Sequence, residues 1–239
     1  MTIDRAPIAI LYQDSDLIVA DKPAGLPTQA DPGSPENLLG RLARQLALPS
    51  AGLLPVHRLD RPVGGLLVIA RTAAAQTALT RQLASHEMSK VYLAVACGVP
   101  EPAAGELADY LLKNERLNIS RVTGADNRSA KPARLSYCTL ARSNAPDGQA
   151  LALLRIDLQT GRHHQIRVQL AHAGWPLWGD TKYNPALHRA GGWHNLGLFA
   201  AAIRFRHPRD GRPLAFSREL PQWPPFDFFT DLHLDSVLK

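Results

Sequence analysis

Short β-prone segments separated by turn residues recur along this chain and restrict its fold more than any other feature of the sequence. Residues 66–70 are a continuous apolar run, which is typical of a buried strand. In residues 90–98 larger apolar side chains alternate with Tyr92 and two alanines, and this period of two predicts another strand. The same reasoning predicts strands at residues 8–12, 17–20, 134–141, 150–159 and 197–206.

Helical patterns are fewer. In residues 37–46 leucines at helical spacing follow Ser34, Pro35 and Glu36, which are typical of a helix start. Residues 73–86 are rich in Ala, Leu and Gln, and residues 164–172 are a third candidate. No fixed-period repeat or long Gly/Ser linker divides the chain. We therefore expect a single α+β domain over residues 1–239 around a mixed, mostly antiparallel sheet, with a short helix after the proline-rich residues 220–225.

The chain is basic, with 27 Lys+Arg and 21 Asp+Glu and a formal net charge of +6. Such a surplus favours an anionic partner, most often nucleic acid, because cations that neutralise phosphates release counterions. No apolar run approaches the roughly 20 residues of a membrane helix, and the first residues do not resemble a signal peptide. Two cysteines are too few for a disulfide framework. These features predict a cytoplasmic protein with no membrane partner.

One carboxylate stands out in residues 56–65, where Asp60 lies between Arg58 and Arg61 in a turn that leads into a buried strand. Nearby positive charge lowers the pKa of a carboxyl group and keeps it ionised, as a nucleophile or a base requires. The same pattern also fits an aspartate that caps a turn or pairs with surface arginines. The residues alone leave both interpretations open.

Residues 161–170 and the segment that follows collect several polar side chains. His163, His164 and His172 suggest a zinc site, and a metal-dependent hydrolase is one candidate function. However, no His-x-x-x-His pair with a glutamate base is present and no cysteine is near, so we predict no metal. Arg167 lies between Ile166 and Val168, and its burial would require an acidic or phosphate partner.

Seven motifs in a fixed order extend over about residues 8–224. They are Asp21-Lys22-Pro23-Ala24-Gly25-Leu26; His57-Arg58-Leu59-Asp60-Arg61; Lys90-Val91-Tyr92-Leu93-Ala94 with Gly98; Lys131-Pro132-Ala133 with Tyr137; the 161–168 block; Gly179-Asp180 with Tyr183; and His207-Pro208 with Gly211. In this series the chain resembles the RluA family of RNA pseudouridine synthases, in the short form without an S4 RNA-binding domain.

The resemblance implies the isomerisation of uridine in RNA to pseudouridine, with neither cofactor nor metal. It implies that Asp60, in the His-Arg-Leu-Asp motif, is the catalytic carboxylate. The tyrosine of the Lys-x-Tyr motif, here Tyr92, would pack on the target base. The arginine of the Gln-Ile-Arg segment, here Arg167, would pair with Asp60.

The RNA would be bound by basic residues of the same motifs. By similarity, Arg58 enters the RNA stack at the place that the target base has left. We expect His57, Arg61, Lys90 and Arg162 to bind RNA as well. The substrate is either ribosomal or transfer RNA, and no assembly signal is present, so the expected state is a monomer.

The chain departs from the family pattern at a few positions. Val63-Gly64-Gly65 replaces a frequent Thr-Ser-Gly, His163 replaces a threonine, Gln169 replaces a histidine, and Trp175 replaces the histidine of Gly-His-Pro. None of these changes affects Asp60, Tyr92 or Arg167. An RNA-binding protein that has kept the fold and lost catalysis is the remaining alternative.

Overall fold

The computed structural model describes residues 6–30, 36–186 and 195–229. In chain order its strands are β1 (Ala9–Gln13), β2 (Leu17–Lys22), β3 (Leu54–Pro55), β4 (Gly64–Ala70), β5 (Ser89–Cys97), β6 (Ala104–Asn114), β7 (Ile119–Thr123), β8 (Lys131–Asn144), β9 (Ala150–Leu158), β10 (Leu198–Arg206) and β11 (Pro213–Ser217). Its α-helices are α1 (Leu38–Gln45), α2 (Ala73–Ala84) and α3 (Gln165–His172), and short 3-10 turns lie at Ser50–Gly52 and Phe226–Phe228.

The chain forms two compact units. The first unit is Met1–Lys90 with Phe199–Arg218, and the second unit is Val91–Leu198 with Glu219–Lys239. None of the helices within the described ranges is long and apolar enough to cross a membrane.

The first unit is built on strands that pair in the order β1-β2-β4-β10, with β3 on β4 and β11 on β10. The pair of β4 and β10 is parallel, and the others are antiparallel. β4 is buried along its whole length, and Leu66 and Val68 pack in one core cluster with Leu79 of α2 and Phe205 of β10. Gly65 permits this packing, because a Cβ there would lie 2.3 Å from the carbonyl oxygen of Ala200.

The second unit is built on antiparallel strands in the order β5-β9-β8-β6-β7. Helix α3 packs on one face of β6, β7 and β8, where Val168 joins Leu111 and Ala133 in an apolar cluster. Gln169 fixes the helix on this face, because its Nε2 donates to the Asp109 carboxylate at 2.7 Å and to the Leu107 carbonyl oxygen at 3.2 Å. Helix α3 is thereby fixed on strand β6.

The α+β class and the mixed, mostly antiparallel pairing are confirmed. The strands predicted at residues 8–12 and 17–20 pair as an antiparallel hairpin, and the three predicted helices are present with ends shifted by a few residues. Strands β3, β6, β7 and β11 were not predicted. The short helix expected after residue 225 is the 3-10 turn Phe226–Phe228, whereas residues 34, 35 and 230–239 lie outside the described residues. The assignment of one domain to residues 1–239 stays a prediction.

Candidate active site

Asp60 lies in a tight turn of the first unit that leads directly into buried strand β4. The Val63 N–H donates to the Asp60 carbonyl oxygen at 3.0 Å and closes the turn. The Asp60 side chain is partly exposed, although the Leu59 side chain before it is buried. A carboxylate placed in this way is accessible and yet carried by a rigid segment.

The residue before Asp60 is held through its main chain by a buried threonine. The Thr28 hydroxyl donates to the Leu59 carbonyl oxygen at 3.0 Å and accepts the Leu59 N–H at 3.2 Å. Both main-chain polar groups of Leu59 are therefore satisfied by one side chain, which itself is 4% exposed.

Arg61, the residue after Asp60, is held by Lys22 and by the loop of residues 23–28, which also contains Thr28. The Arg61 carbonyl oxygen accepts the Gly25 N–H at 2.8 Å and a hydrogen bond from Lys22 Nζ at 3.3 Å. Lys22 Nζ also donates to the carbonyl oxygens of Leu26 at 2.7 Å and Pro23 at 3.0 Å. The backbone on both sides of Asp60 is thus fixed by contacts within the first unit.

Lys22 is fully buried at the end of strand β2. Burial lowers the pKa of its ammonium group to about 7, and the negative charges of Asp60 and Asp21 oppose this change. From the sequence, Arg58 and Arg61 were expected to supply the positive charge beside Asp60. The structure leaves the Arg58 side chain exposed and directs Arg61 Nε to the Gly25 carbonyl oxygen at 3.1 Å.

Lys22 is therefore a functional candidate for which the sequence predicted no role, although it belongs to the motif Asp21–Leu26. The signal in the sequence is a lysine two residues after the apolar run at 17–20 and directly before a proline. A lysine at that point becomes buried in the core, where its ammonium group needs several hydrogen-bond acceptors.

Replacing Thr28 by valine should impair the site through the backbone that carries Asp60. The change leaves the buried N–H and C=O of Leu59 without their partner, so we expect a loss of about 1–3 kcal/mol in the free energy of unfolding. Urea denaturation measures this loss. Thr28→Ser is the matched control, because it keeps the hydroxyl group and should stay close to the wild type. Equal stability of Thr28→Val and Thr28→Ser would contradict the assignment.

Lys22 should make the stability of the protein depend on pH above neutrality. The unfolded chain holds the lysine proton up to a pKa near 10.5, whereas the folded pKa is about 7. Between these values the unfolded state binds more protons, so the free energy of unfolding rises with pH. We expect urea denaturation between pH 7 and pH 9 to show this rise.

Lys22→Met should reduce that slope, because methionine has no proton to release. Lys90 contributes in the same direction, since burial lowers its pKa to about 8. Lys90→Met is therefore the comparison, and it should leave the Lys22 contribution in place. An unchanged slope in Lys22→Met would contradict the buried, titrating lysine.

His57 and Lys90, both predicted to bind RNA, lie close enough for their charges to interact. Burial, together with the charge of Lys90, lowers the pKa of His57 to about 3, so the ring is neutral at physiological pH. His57 Nε2 accepts the Val68 N–H at 3.3 Å. Its Nδ1 is buried and has no hydrogen-bond partner within the described part of the chain. RNA binding by either residue stays a prediction.

Tyr92 lies on β5 in the second unit. It pairs with Ile156 of β9 and is 6% exposed. Its neighbours on the same face of the strand are Ala94 and Ala96, as the sequence indicates. On this face of β5 Tyr92 thus lies between Lys90 and two alanines.

Arg167 lies on α3 in the second unit and has a buried acidic partner, Asp180. Its Nε and Nη2 donate to the two carboxylate oxygens of Asp180, each at 2.7 Å, and the two side chains are 5% and 0% exposed. The prediction of an acidic partner for a buried Arg167 is confirmed. The predicted pairing of Arg167 with Asp60 stays a prediction.

A tyrosine covers this ion pair. The Arg167 Cζ atom lies 5.2 Å from the centre of the Tyr183 ring. The Tyr183 hydroxyl accepts the Ser120 N–H at 2.7 Å and forms a 2.8 Å hydrogen bond with His164 Nδ1. The guanidinium group is thus enclosed between an aspartate and an aromatic ring.

The three histidines of residues 163–172 lie in two separate places in the structure. The rings of His163 and His164 stack with centroids 3.8 Å apart, and His163 Nδ1 lies 2.9 Å from the Ser120 hydroxyl. His172 Nδ1 lies 3.4 Å from the Asp109 carboxylate. The three histidines considered for zinc therefore have different hydrogen-bond partners. Arg162, predicted to bind RNA, is half-buried and its Nε donates to the Pro132 carbonyl oxygen at 2.9 Å.

Comparisons with known proteins agree with the seven motifs found in the sequence. The profile of the RNA pseudouridylate synthase family matches residues 16–172. Ribosomal large subunit pseudouridine synthase D of Xanthomonas campestris pv. campestris is 34% identical over 232 residues, which cover 90% of this chain and 67% of the relative. tRNA pseudouridine synthase C of Vibrio cholerae is 31% identical over 229 residues, which cover 90% of this chain and 92% of the relative.

The fold is shared with a solved structure of human RNA pseudouridylate synthase domain containing 1. The TM-score is 0.78 at 22% identity, over 95% of this chain and 89% of the human chain. The resemblance drawn from the sequence motifs is thereby confirmed. The chain belongs to the RNA pseudouridylate synthase family.

Proposed function

We propose that this protein converts specific uridines of ribosomal or transfer RNA to pseudouridine, with Asp60 as the catalytic carboxylate. The observation that carries the assignment of Asp60 is its support on both sides, by Thr28 at Leu59 and by Lys22 and Gly25 at Arg61. A catalytic group must be held within a fraction of an ångström of its working position, and contacts of this kind serve that purpose.

The reaction is an isomerisation that requires no external water. The N1–C1′ glycosidic bond breaks, the uracil turns, and C5 forms a new bond to C1′. C5 loses its hydrogen as a proton and N1 gains one, so the atoms balance. The target uridine leaves the base stack first, which requires a few kcal/mol of unstacking. One carboxylate is sufficient here, whereas glycosidases use two to manage leaving group and water.

Two residues of the second unit complete the proposed machinery. Tyr92 packs against the flipped uracil, and the small side chains of Ala94 and Ala96 next to it on the same face support this role. Arg167 pairs with Asp60. This role is taken from the family resemblance, and the buried, rigid setting of the guanidinium supports it.

The RNA is bound through phosphate contacts from the basic residues of the motifs. Arg58 and Arg61 flank Asp60 with exposed side chains, and this exposure supports contact with the nucleic acid. Arg162 and Lys90 complete the proposed set of cations, and His57, whose ring is neutral, is the uncharged member of the RNA-binding set. Phosphate-led binding weakens steeply with salt, so we expect the dissociation constant to rise by at least about tenfold between 50 and 200 mM salt. Filter binding that gives the same dissociation constant over this range would contradict binding through phosphate contacts.

The similarity to synthases that the comparisons name for the large ribosomal subunit and for tRNA supports these two RNA classes as substrates. We propose that the protein acts on them in the cytoplasm and as a monomer.

The test is the incubation of purified protein with unmodified 23S ribosomal RNA and with unmodified tRNA in separate reactions. Nucleoside analysis by mass spectrometry after digestion resolves added pseudouridine, since its C-glycosidic bond fragments differently from that of uridine. We expect a stoichiometric gain in one RNA class. The absence of added pseudouridine from both RNA classes, and also from partly assembled ribosomal particles, would contradict the proposed function.

A further inference from the structure

We propose that Asp180 and Tyr183 are positioning residues that fix the guanidinium group of Arg167 for the reaction. This inference rests on the proposed function, because it assigns these residues an effect on turnover that acts through Arg167. Asp180 and Tyr183 belong to the same segment of the second unit.

Asp180 is itself rigidly held. Besides the two hydrogen bonds from Arg167, its Oδ1 accepts the backbone N–H of Lys182 at 2.9 Å and of Tyr183 at 3.1 Å. The preceding residue, Gly179, has φ +72°, and a Cβ there would lie 2.1 Å from the Asn195 carbonyl oxygen. The backbone at this point therefore requires glycine, and the carboxylate has little freedom to turn.

Tyr183 fixes the remaining degree of freedom of the guanidinium, its tilt. The ring lies against the guanidinium, and the hydroxyl is held by the Ser120 N–H of β7 and by His164 Nδ1. The ring is also edge-on to His164, with an interplanar angle of 86°. Because the hydroxyl has two partners, the ring cannot withdraw from the guanidinium without breaking hydrogen bonds.

The direction of the remaining N–H groups of Arg167 follows from the shape of the arginine side chain. A guanidinium group is a rigid plane with five N–H donors in a fixed fork. When its Nε and Nη2 both point to one carboxylate, the direction of the third nitrogen, Nη1, is determined. Asp180 and Tyr183 thus define where Arg167 can present its remaining N–H groups.

A purely stabilising role accounts less well for this arrangement. A buried ion pair adds little net stability over apolar side chains of similar volume, because two charges must be desolvated. What the arrangement supplies is orientation, which catalysis needs and stability does not. A displacement of about 1 Å in such a group can reduce turnover about 100-fold.

The test compares Asp180→Asn and Tyr183→Phe with the wild type in steady-state pseudouridine formation. Asparagine keeps the shape of the aspartate and loses its charge, and we expect kcat to fall about 100-fold with KM within about threefold of the wild type. Tyr183→Phe keeps the ring and loses both hydroxyl contacts, and we expect a fall in kcat of about tenfold.

Asp157→Asn is the matched control. Asp157 also accepts two hydrogen bonds from an arginine, Arg155, at 2.8 and 2.9 Å, although this pair is partly exposed. The variant should keep kcat within about threefold of the wild type.

A double-mutant cycle separates positioning from general structural support. Arg167→Lys keeps the charge and loses the planar fork. If Asp180 acts through Arg167, then Asp180→Asn should change kcat by less than about threefold in the Arg167→Lys background. Independent effects would multiply instead. If Asp180→Asn does not fold, the same cycle with Tyr183→Phe decides the question.

Wild-type kcat in Asp180→Asn or in Tyr183→Phe would overturn the inference, and so would full multiplication in the cycle. In both cases the active wild type would leave the proposed function standing. A wild-type protein without turnover on any RNA would overturn the proposed function and this inference with it.

Discussion

Asp60→Asn is expected to lower the rate of pseudouridine formation by about a thousandfold or more and to leave RNA affinity near that of the wild type. Asparagine cannot act as a nucleophile or as a base in this reaction, whereas phosphate contacts supply most of the affinity. Single-turnover assays and filter binding at one salt concentration measure the two quantities.

The fold of Asp60→Asn should be intact, because Thr28, Gly25 and Lys22 hold the main chain of its neighbours and not its side chain. Its unfolding midpoint in urea should therefore stay near the wild-type value. Asp126→Asn, on an exposed turn of the second unit, is the matched control and should be fully active. More than a few per cent of wild-type activity in Asp60→Asn would contradict the catalytic assignment.

Arg167→Ala should have the largest effect on stability among the substitutions considered, together with a loss of activity. It leaves the Asp180 carboxylate, which is 0% exposed, without its guanidinium partner. An uncompensated buried charge lowers the free energy of unfolding by about 3–5 kcal/mol. Urea denaturation at neutral pH gives this value, and activity at a temperature where the variant is folded gives the loss in turnover.

Two comparisons make this result specific. Arg155→Ala removes the arginine of the partly exposed pair with Asp157 and should change the free energy of unfolding by about 1 kcal/mol or less. Arg167→Ala combined with Asp180→Asn should be more stable than Arg167→Ala alone, because the buried charge is then absent. A loss for Arg167→Ala no greater than for Arg155→Ala would be inconsistent with the buried pair.

Much of the fold could be predicted from apolar patterning. Buried strands such as β4 and β5 have continuous or alternating apolar residues, and helix α2 follows a threonine cap with alanine and leucine. Strand β6 could not be predicted in this way. Its burial alternates between exposed and intermediate along most of its length, and among its residues only Leu111 is buried, so the pattern is weak.

The site was predictable in its residue types and only partly in its contacts. Arg167 in an apolar stretch indicated a buried acidic partner, and the structure supplies Asp180, which is 13 residues further along the chain. The motif Gly179-Asp180 marks this carboxylate, but nothing in the sequence pairs it with Arg167, because the chain must fold back after α3 for the two to meet. The role of Lys22 depends on three carbonyl oxygens from separate residues, which only the tertiary structure brings together.

The most direct test of the central claim is tritium release from RNA labelled at C5 of uridine. Wild-type protein and Asp60→Asn are incubated with labelled ribosomal RNA and labelled tRNA in separate reactions, because C5 loses its hydrogen when it bonds to C1′. We predict stoichiometric release by the wild type from one RNA class and none by Asp60→Asn. Equal release by both proteins, or no release from either RNA by the wild type, would contradict an Asp60-dependent pseudouridine synthase.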